Sequence, residues 1–151
     1  MRPFRLADAA AVEPWLDAPG LSLPPGALRT DWAARMIADA HILARVAVRR
    51  GQIVAFARLD CGPDRVAEVT LCVAPEYRRQ GLGRAVLEAV VQEARQRGLR
   101  RLQAMVEPRS QESLQFFSAC GFEEDGVLGG RWRLSRIVHT GDSQLPLEID
   151  L

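Results

Sequence analysis

Hydrophobic positions along this chain change period several times, and the changes mark its elements. Near the start, Phe4 and Leu6 alternate with arginines, the two-residue repeat of a short first strand. Asp8 stands where a helix cap belongs, ahead of a helix running to about Leu16. Residues 19–26 are rich in proline and glycine and break the pattern. Leu28, Trp32, Met36 and Ile37 then recur at helical spacing, which predicts a second helix to about Ala40. Residues 42–48 and 53–59 are β-prone runs on either side of Arg49-Arg50-Gly51, the pattern of a hairpin. After a Cys61-Gly62-Pro63-Asp64 turn, residues 65–73 continue as another strand.

From there the period lengthens. Leu82, Ala85, Val86, Ala89, Val90 and Ala94 form one face of a long helix that Gly98 ends. Residues 102–106 return to strand. Ser110 is placed to cap a helix that turns Leu114, Phe117 and Cys120 inward and closes at Gly121. Residues 122–128 and 132–138, joined at Gly129-Gly130, make a last pair of strands. The order β-α-α-β-β-β-α-β-α-β-β predicts an α/β (α+β) layer fold, with a mixed sheet of about seven strands and about four helices. Residues 1–138 read as one domain and residues 139–151 as a polar, proline-broken tail without structure.

Composition narrows the function. A chain of 151 residues, 48% hydrophobic and 26% charged, can bury an ordinary core without metal or disulfide staples. No apolar run approaches the ~20 residues of a membrane span. The first residues lack the apolar stretch of a signal peptide, so a cytoplasmic protein is expected. Cys61, Cys72 and Cys120 form no Cys/His cluster; reduced thiols and no metal are the expectation. A net charge of +1 supplies no general field for nucleic acid, so any anion site must be local. All 20 cations are arginine, which excludes a P-loop lysine or a Schiff-base lysine.

The local anion site is Val73-Ala74-Pro75-Glu76-Tyr77-Arg78-Arg79-Gln80-Gly81-Leu82-Gly83-Arg84. Here a strand enters a turn with two glycines and three arginines and passes straight into the long helix. Glycines let the backbone approach a ligand, and the first helical turn offers unpaired N–H groups and positive dipole. That combination cradles phosphate. Neither a Walker loop nor the G-x-G-x-x-G fingerprint fits, since lysine is missing and Val86 stands at the third glycine.

The pattern R-x-x-G-x-G, carried by Arg78, Gly81 and Gly83, resembles motif A of the GNAT N-acetyltransferase superfamily. The strand to Val106, the helix with Phe116-Phe117 and the pair Gly121-Phe122 are similar to its motif B. The resemblance covers roughly residues 2–138, most strongly 66–122. It implies a mostly antiparallel sheet in which two parallel strands splay apart, and acetyl-CoA as cosubstrate. Backbone groups of Arg78, Arg79, Gln80, Gly81, Leu82, Gly83 and Arg84 would hold the pyrophosphate, and Leu71, Cys72 and Val73 the pantetheine arm. The Val73 N–H matches the donor that polarises the thioester carbonyl. Ser110, Ser113, Phe116 and Phe117 fall in the cofactor-contacting part of motif B. An amine acceptor, small or peptidic, and a homodimer joined through the C-terminal strands are further expectations from the family.

Proton transfer needs an acid and a base. Strand parity places Glu68, Thr70 and Cys72 on one face. Glu68 matches a general base in several such enzymes; it reads equally well as a strand-end carboxylate paired with an arginine. The usual general acid is a tyrosine four residues before the Gly-Phe pair, and this chain has Phe117 there. Three outcomes follow: bulk water protonates the leaving thiolate; Ser113, Ser118 or Cys120 does so; or the domain binds acyl-CoA without catalysis. His41 and His139 read as structural or surface residues.

Overall fold

The structure, a computed structural model, describes residues 1–17, 32–78 and 80–138. The break at residues 19–26, the helix start at Leu28, Arg79, His139 and the tail 139–151 lie outside the described residues. Among the described residues the strands are β1 (Arg2–Pro3), β2 (Ile42–Arg49), β3 (Gln52–Cys61), β4 (Val66–Val73), β5 (Arg101–Val106), β6 (Glu123–Leu128) and β7 (Arg131–Ile137). The helices are α1 (Ala9–Val12), α2 (Trp32–Ala38), α3 (Leu82–Gln96) and α4 (Gln111–Ala119). One mixed sheet runs in the order β1-β2-β3-β4-β5-β7-β6. Every pair is antiparallel except β4 with β5.

Each face of the sheet has its own core. On one face α3 buries Val86, Leu87, Val90, Val91 and Ala94, an apolar stripe at helical spacing. These meet Leu102 and Leu134, which like Leu87 are fully buried. On the other face, Phe4, Trp32 and Phe56 pack edge to face or tilted at 5.5–6.3 Å, joined by Val12, Met36 and Val46. Trp32 is anchored there by an indole N–H donated to Glu13 at 3.0 Å.

Both long helices end as their sequences indicate. In α3 the Gly98 N–H reaches the Arg95 carbonyl and the Leu99 N–H the Ala94 carbonyl; in α4 Gly121 and Phe122 repeat this with Ser118 and Phe117.

Four local expectations change. The first strand is Arg2–Pro3, paired with Val46 and Arg45, whereas Leu6 sits in a 3-10 turn at 58% exposure. Alternation over so few residues cannot say where pairing begins; the partner strand decides it. Asp8 does precede α1, but its carboxylate caps nothing in that helix. It accepts two hydrogen bonds from Arg2, at 2.8 and 2.9 Å, and one from the Arg5 N–H at 2.8 Å. The predicted first helix is a short α-helical stretch followed by a 3-10 turn at Glu13–Asp17. Ser110 likewise stands at the start of α4 without capping it, because its hydroxyl donates to the Ser113 hydroxyl at 2.8 Å.

Candidate active site

A gap in the sheet defines the site. β4 and β5 pair only at Val66 with Arg101, Ala67 with Leu102 and Glu68 with Gln103. Beyond that point residues 69–73 pair only with β3, and residues 104–106 only with β7. The two parallel strands therefore part, with Glu68 and Gln103 at the vertex. The β3–β4 register is unbroken from Ala55–Val73 to Cys61–Ala67, so no bulge disturbs the alternation of β4.

That alternation settles which backbone groups enter the gap. The Gly62 N–H bonds to the Val66 carbonyl at 2.8 Å and the Ala74 N–H to the Val54 carbonyl at 2.9 Å. Even-numbered residues of β4 are thus bonded to β3, and the backbone groups of Val69, Leu71 and Val73 point the other way, into the gap. Cys72 differs: its backbone belongs to the β3 ladder, and its thiol lies 3.9 Å from the Trp15 carbonyl on the opposite side.

At the open end of the gap the loop leads into α3. Residues Pro75–Tyr77 make one 3-10 turn. The Arg78 guanidinium donates to the Val73 carbonyl at 3.1 Å, and the Gln80 amide to the Glu76 carbonyl at 3.2 Å. Tyr77 turns away, its hydroxyl 3.3 Å from Gln52. Gly81 has φ +78°, the left-handed conformation that favours glycine, and directs the chain into the helix. No described side chain caps α3, so the N–H groups of Leu82, Gly83 and Arg84 form its bare positive end. Arg84 is exposed beside them.

Gly83 serves a packing need as well. A Cβ there would meet the Phe116 ring at 3.2 Å and a Val73 methyl at 3.5 Å. The end of β4, the start of α3 and the ring from α4 converge on this point. The sequence singled out all three residues separately, without showing that they touch.

The motif B residues are distributed unevenly. Phe117 is buried and stacks edge to face with Phe116 at 5.2 Å and Phe122 at 5.1 Å, a core role with no proton to give. Ser110 and Ser113 form a hydroxyl pair at the start of α4. Cys72 and Cys120 are buried, and burial pushes both thiols up, which leaves them neutral and poorly nucleophilic.

Glu68, Thr70 and Cys72 share one face, as parity predicts. Glu68 as a whole is exposed, but neighbours partly desolvate its carboxyl. That partial burial, then the charge of Asp60, raises it above the ordinary glutamate range; Arg131 and Arg58 pull the other way. Asp60 is its direct partner across the β3–β4 ladder. Sequence reading passed over Asp60, although it and Glu68 stand equally far from Asp64 in the connecting turn, which is the signature of a facing pair. Among the described residues no three His, Cys, Asp or Glu side chains gather to hold a metal, and no helix is long and apolar enough to cross a membrane.

Comparison with known proteins agrees with this fold. The model of the acetyltransferase (GNAT) family matches residues 6–122. A ribosomal protein bS18-alanine N-acetyltransferase from Escherichia coli K12 is 33% identical over 76 residues, half of this chain and 51% of its own; the chain spans about half the length of that relative. The structure of a ribosomal-protein-alanine N-acetyltransferase from Brucella melitensis superposes with a TM-score of 0.73 at 25% identity, over 90% of this chain and 98% of that one. A spermidine N-acetyltransferase mutant from Vibrio cholerae reaches a TM-score of 0.79 at 16% identity, over 91% and 92%, a likeness of fold alone.

Proposed function

The chain belongs to the GNAT acetyltransferase family, and on that footing we propose that it moves the acetyl group of acetyl-CoA onto a primary amine by direct attack in a ternary complex. The observation that carries this reading is the parting of β4 from β5, with gap-facing backbone groups leading to the uncapped start of α3. Residues 1–138 act as one acetyltransferase domain. The pyrophosphate sits on the N–H groups of Leu82, Gly83 and Arg84 with Arg78, Arg79, Gln80 and Gly81 around it. The pantetheine arm lies in the gap as a partial strand beside Leu71, Cys72 and Val73. Three free thiols fit a reducing cytoplasm.

The amine nitrogen bonds to the acetyl carbon, the carbon–sulfur bond breaks, and the electron pair leaves on the CoA sulfur. Gap-facing N–H groups, Val73 foremost, stabilise the oxyanion of that step. The amine's proton goes to Glu68. Glu68 lies five residues deeper than Val73, about 16 Å along an extended strand, so the proton travels through water in the gap. Phe117 gives no proton to the departing sulfur; water or a hydroxyl such as Ser113 does.

The similar proteins are named for a ribosomal-protein alanine and for spermidine, which leaves the acceptor here at the level of an amine, small or peptidic. A second reading, a module that binds acyl-CoA without turnover, is favoured by the all-aromatic packing of Phe117.

Calorimetry with acetyl-CoA, followed by thiol release over a panel of amines, separates these readings. Wild type should bind and turn over at least one amine. Gly83→Glu should abolish binding, and Glu68→Gln should keep binding while slowing turnover by roughly 10²–10⁴-fold. Binding without turnover across the panel moves the assignment to the second reading, and absence of binding rejects both.

A further inference from the structure

The face of β4 that carries Glu68 also carries a charge arrangement that the family assignment does not address. Asp60 on β3 is the register partner of Glu68. By the alternation established above, theirs is a hydrogen-bonded pair, with Cα atoms about 5.5 Å apart and side chains on the same face. Like charges in that relation repel, so the arrangement persists only with something to hold it. Arg58 does so: two residues back on β3, opposite Thr70, its Nε donates to Asp60 Oδ1 at 2.6 Å. The Arg58 side chain is 26% exposed and that of Asp60 40%, so this ion pair is partly shielded beside the vertex of the gap.

We infer that Asp60 is a positioning residue for Glu68: fixed by Arg58 directly across the ladder, its negative charge strengthens Glu68 as a proton acceptor. The inference rests on the reading of Glu68 as the base. Its chemical sense is direct. A primary amine reaches the site largely as its ammonium form, and an ordinary glutamate, ionised far below neutral pH, is a weak acceptor of that proton. A neighbouring fixed carboxylate makes Glu68 a stronger base, and a better match to the task.

The other charged groups around Glu68 are few. From β7, Arg131 acts against Asp60, and Arg131 is itself 3.9 Å from Glu107. From β3, Arg58 both attracts Glu68 and neutralises part of Asp60. β5 presents the uncharged Gln103 at the vertex and, two residues earlier on the same face, the cation Arg101, and β2 presents the uncharged Ile42 opposite Asp60. Asp60 is therefore the group on these neighbours that pushes Glu68 upward, and its removal has a defined sign.

The test follows the Glu68 carboxyl carbon by NMR in glutamate-labelled full-length protein, with Glu68→Gln assigning the signal. Asp60→Asn should move its titration midpoint down. Arg58→Gln, which releases the Asp60 charge and removes a cation, should move it up. A general structural disturbance would not give opposite signs, and amide spectra of both variants check the fold. A midpoint unmoved by Asp60→Asn, or moved the same way by both variants, overturns the inference. The acidic limb of turnover with the best amine of the panel tests the base reading separately. If the Glu68→Gln variant retains that limb, Glu68 is not the base, whatever the NMR midpoints show, and Asp60 positions nothing in catalysis. If the limb follows the midpoint through both variants, the inference stands.

Discussion

Asp8 is the charged residue found buried among the described residues, at 6% exposure. It is tolerable there because both oxygens are engaged, by Arg2 and by the Arg5 N–H. Its hydrogen bonds from Arg2 hold its carboxyl below the ordinary aspartate range. Asp8→Asn keeps the shape and one acceptor but loses the charge facing Arg2. It should lower stability by about 1–3 kcal/mol, read as a drop in the urea midpoint at neutral pH. At this scale the sequence was a partial guide. Phe117 could be read as core because its neighbours and spacing are local. The engagement of Asp8 by Arg2, or of Ser110 by Ser113, could not, because a polar side chain near a helix start has several acceptable partners and only geometry selects one.

Helix α3 links stability to the site, since one end supplies the bare N–H groups and its middle is bolted to the sheet. Leu87 is fully buried there, between β-strand residues and the helix's own apolar stripe. Leu87→Ala should cost about 2–5 kcal/mol, measured by denaturant unfolding. The surviving folded fraction should bind acetyl-CoA with unchanged affinity, because the helix start is untouched. The limits of α3 and α4 were legible within a residue or two, for two physical reasons. A helix writes its buried face into one continuous segment, and its glycine stop is local. Strand β1 was misplaced because pairing with β2, some forty residues later, determines it. The parting of β4 and β5 is likewise non-local, and only the resemblance of the loop motif announced it.

For the molecule as a whole, the distribution of ion pairs predicts how stability depends on pH. Hydrogen bonding by Arg136 holds Glu88 low, as Arg2 does Asp8. Burial works against Glu93 and Asp125, yet bonds from Arg45 to the one, and from Ser135 and Arg133 to the other, outweigh it. Four carboxylates with depressed pKa values favour the folded state above their unfolded values, about 4. That contribution is lost as pH falls through the folded values. Glu68, raised instead, opposes them with the reverse sign. The urea midpoint should therefore hold steady from neutrality to about pH 5 and fall below about pH 4; a midpoint that rises on acidification would show that Glu68 dominates.

The parted strands carry one more consequence, for the solubility of the chain. A sheet normally has two edges open to a foreign strand, and this one has four. The outer two are blunted in familiar ways: β1 is two residues long, and β6 begins Glu123-Glu124-Asp125. The inner two, residues 69–73 and 104–106, are apolar but for Thr70 and have no strand partner on the gap side, only the Val73 carbonyl being held, by Arg78. They are safe because they converge at Glu68 and Gln103 and open only where Arg78 and the head of α3 stand. A polypeptide would have to enter end-on past a positive rim. The wedge in which we place the cosubstrate thus keeps the molecule from adding copies of itself, strand to strand, at its own interior seam.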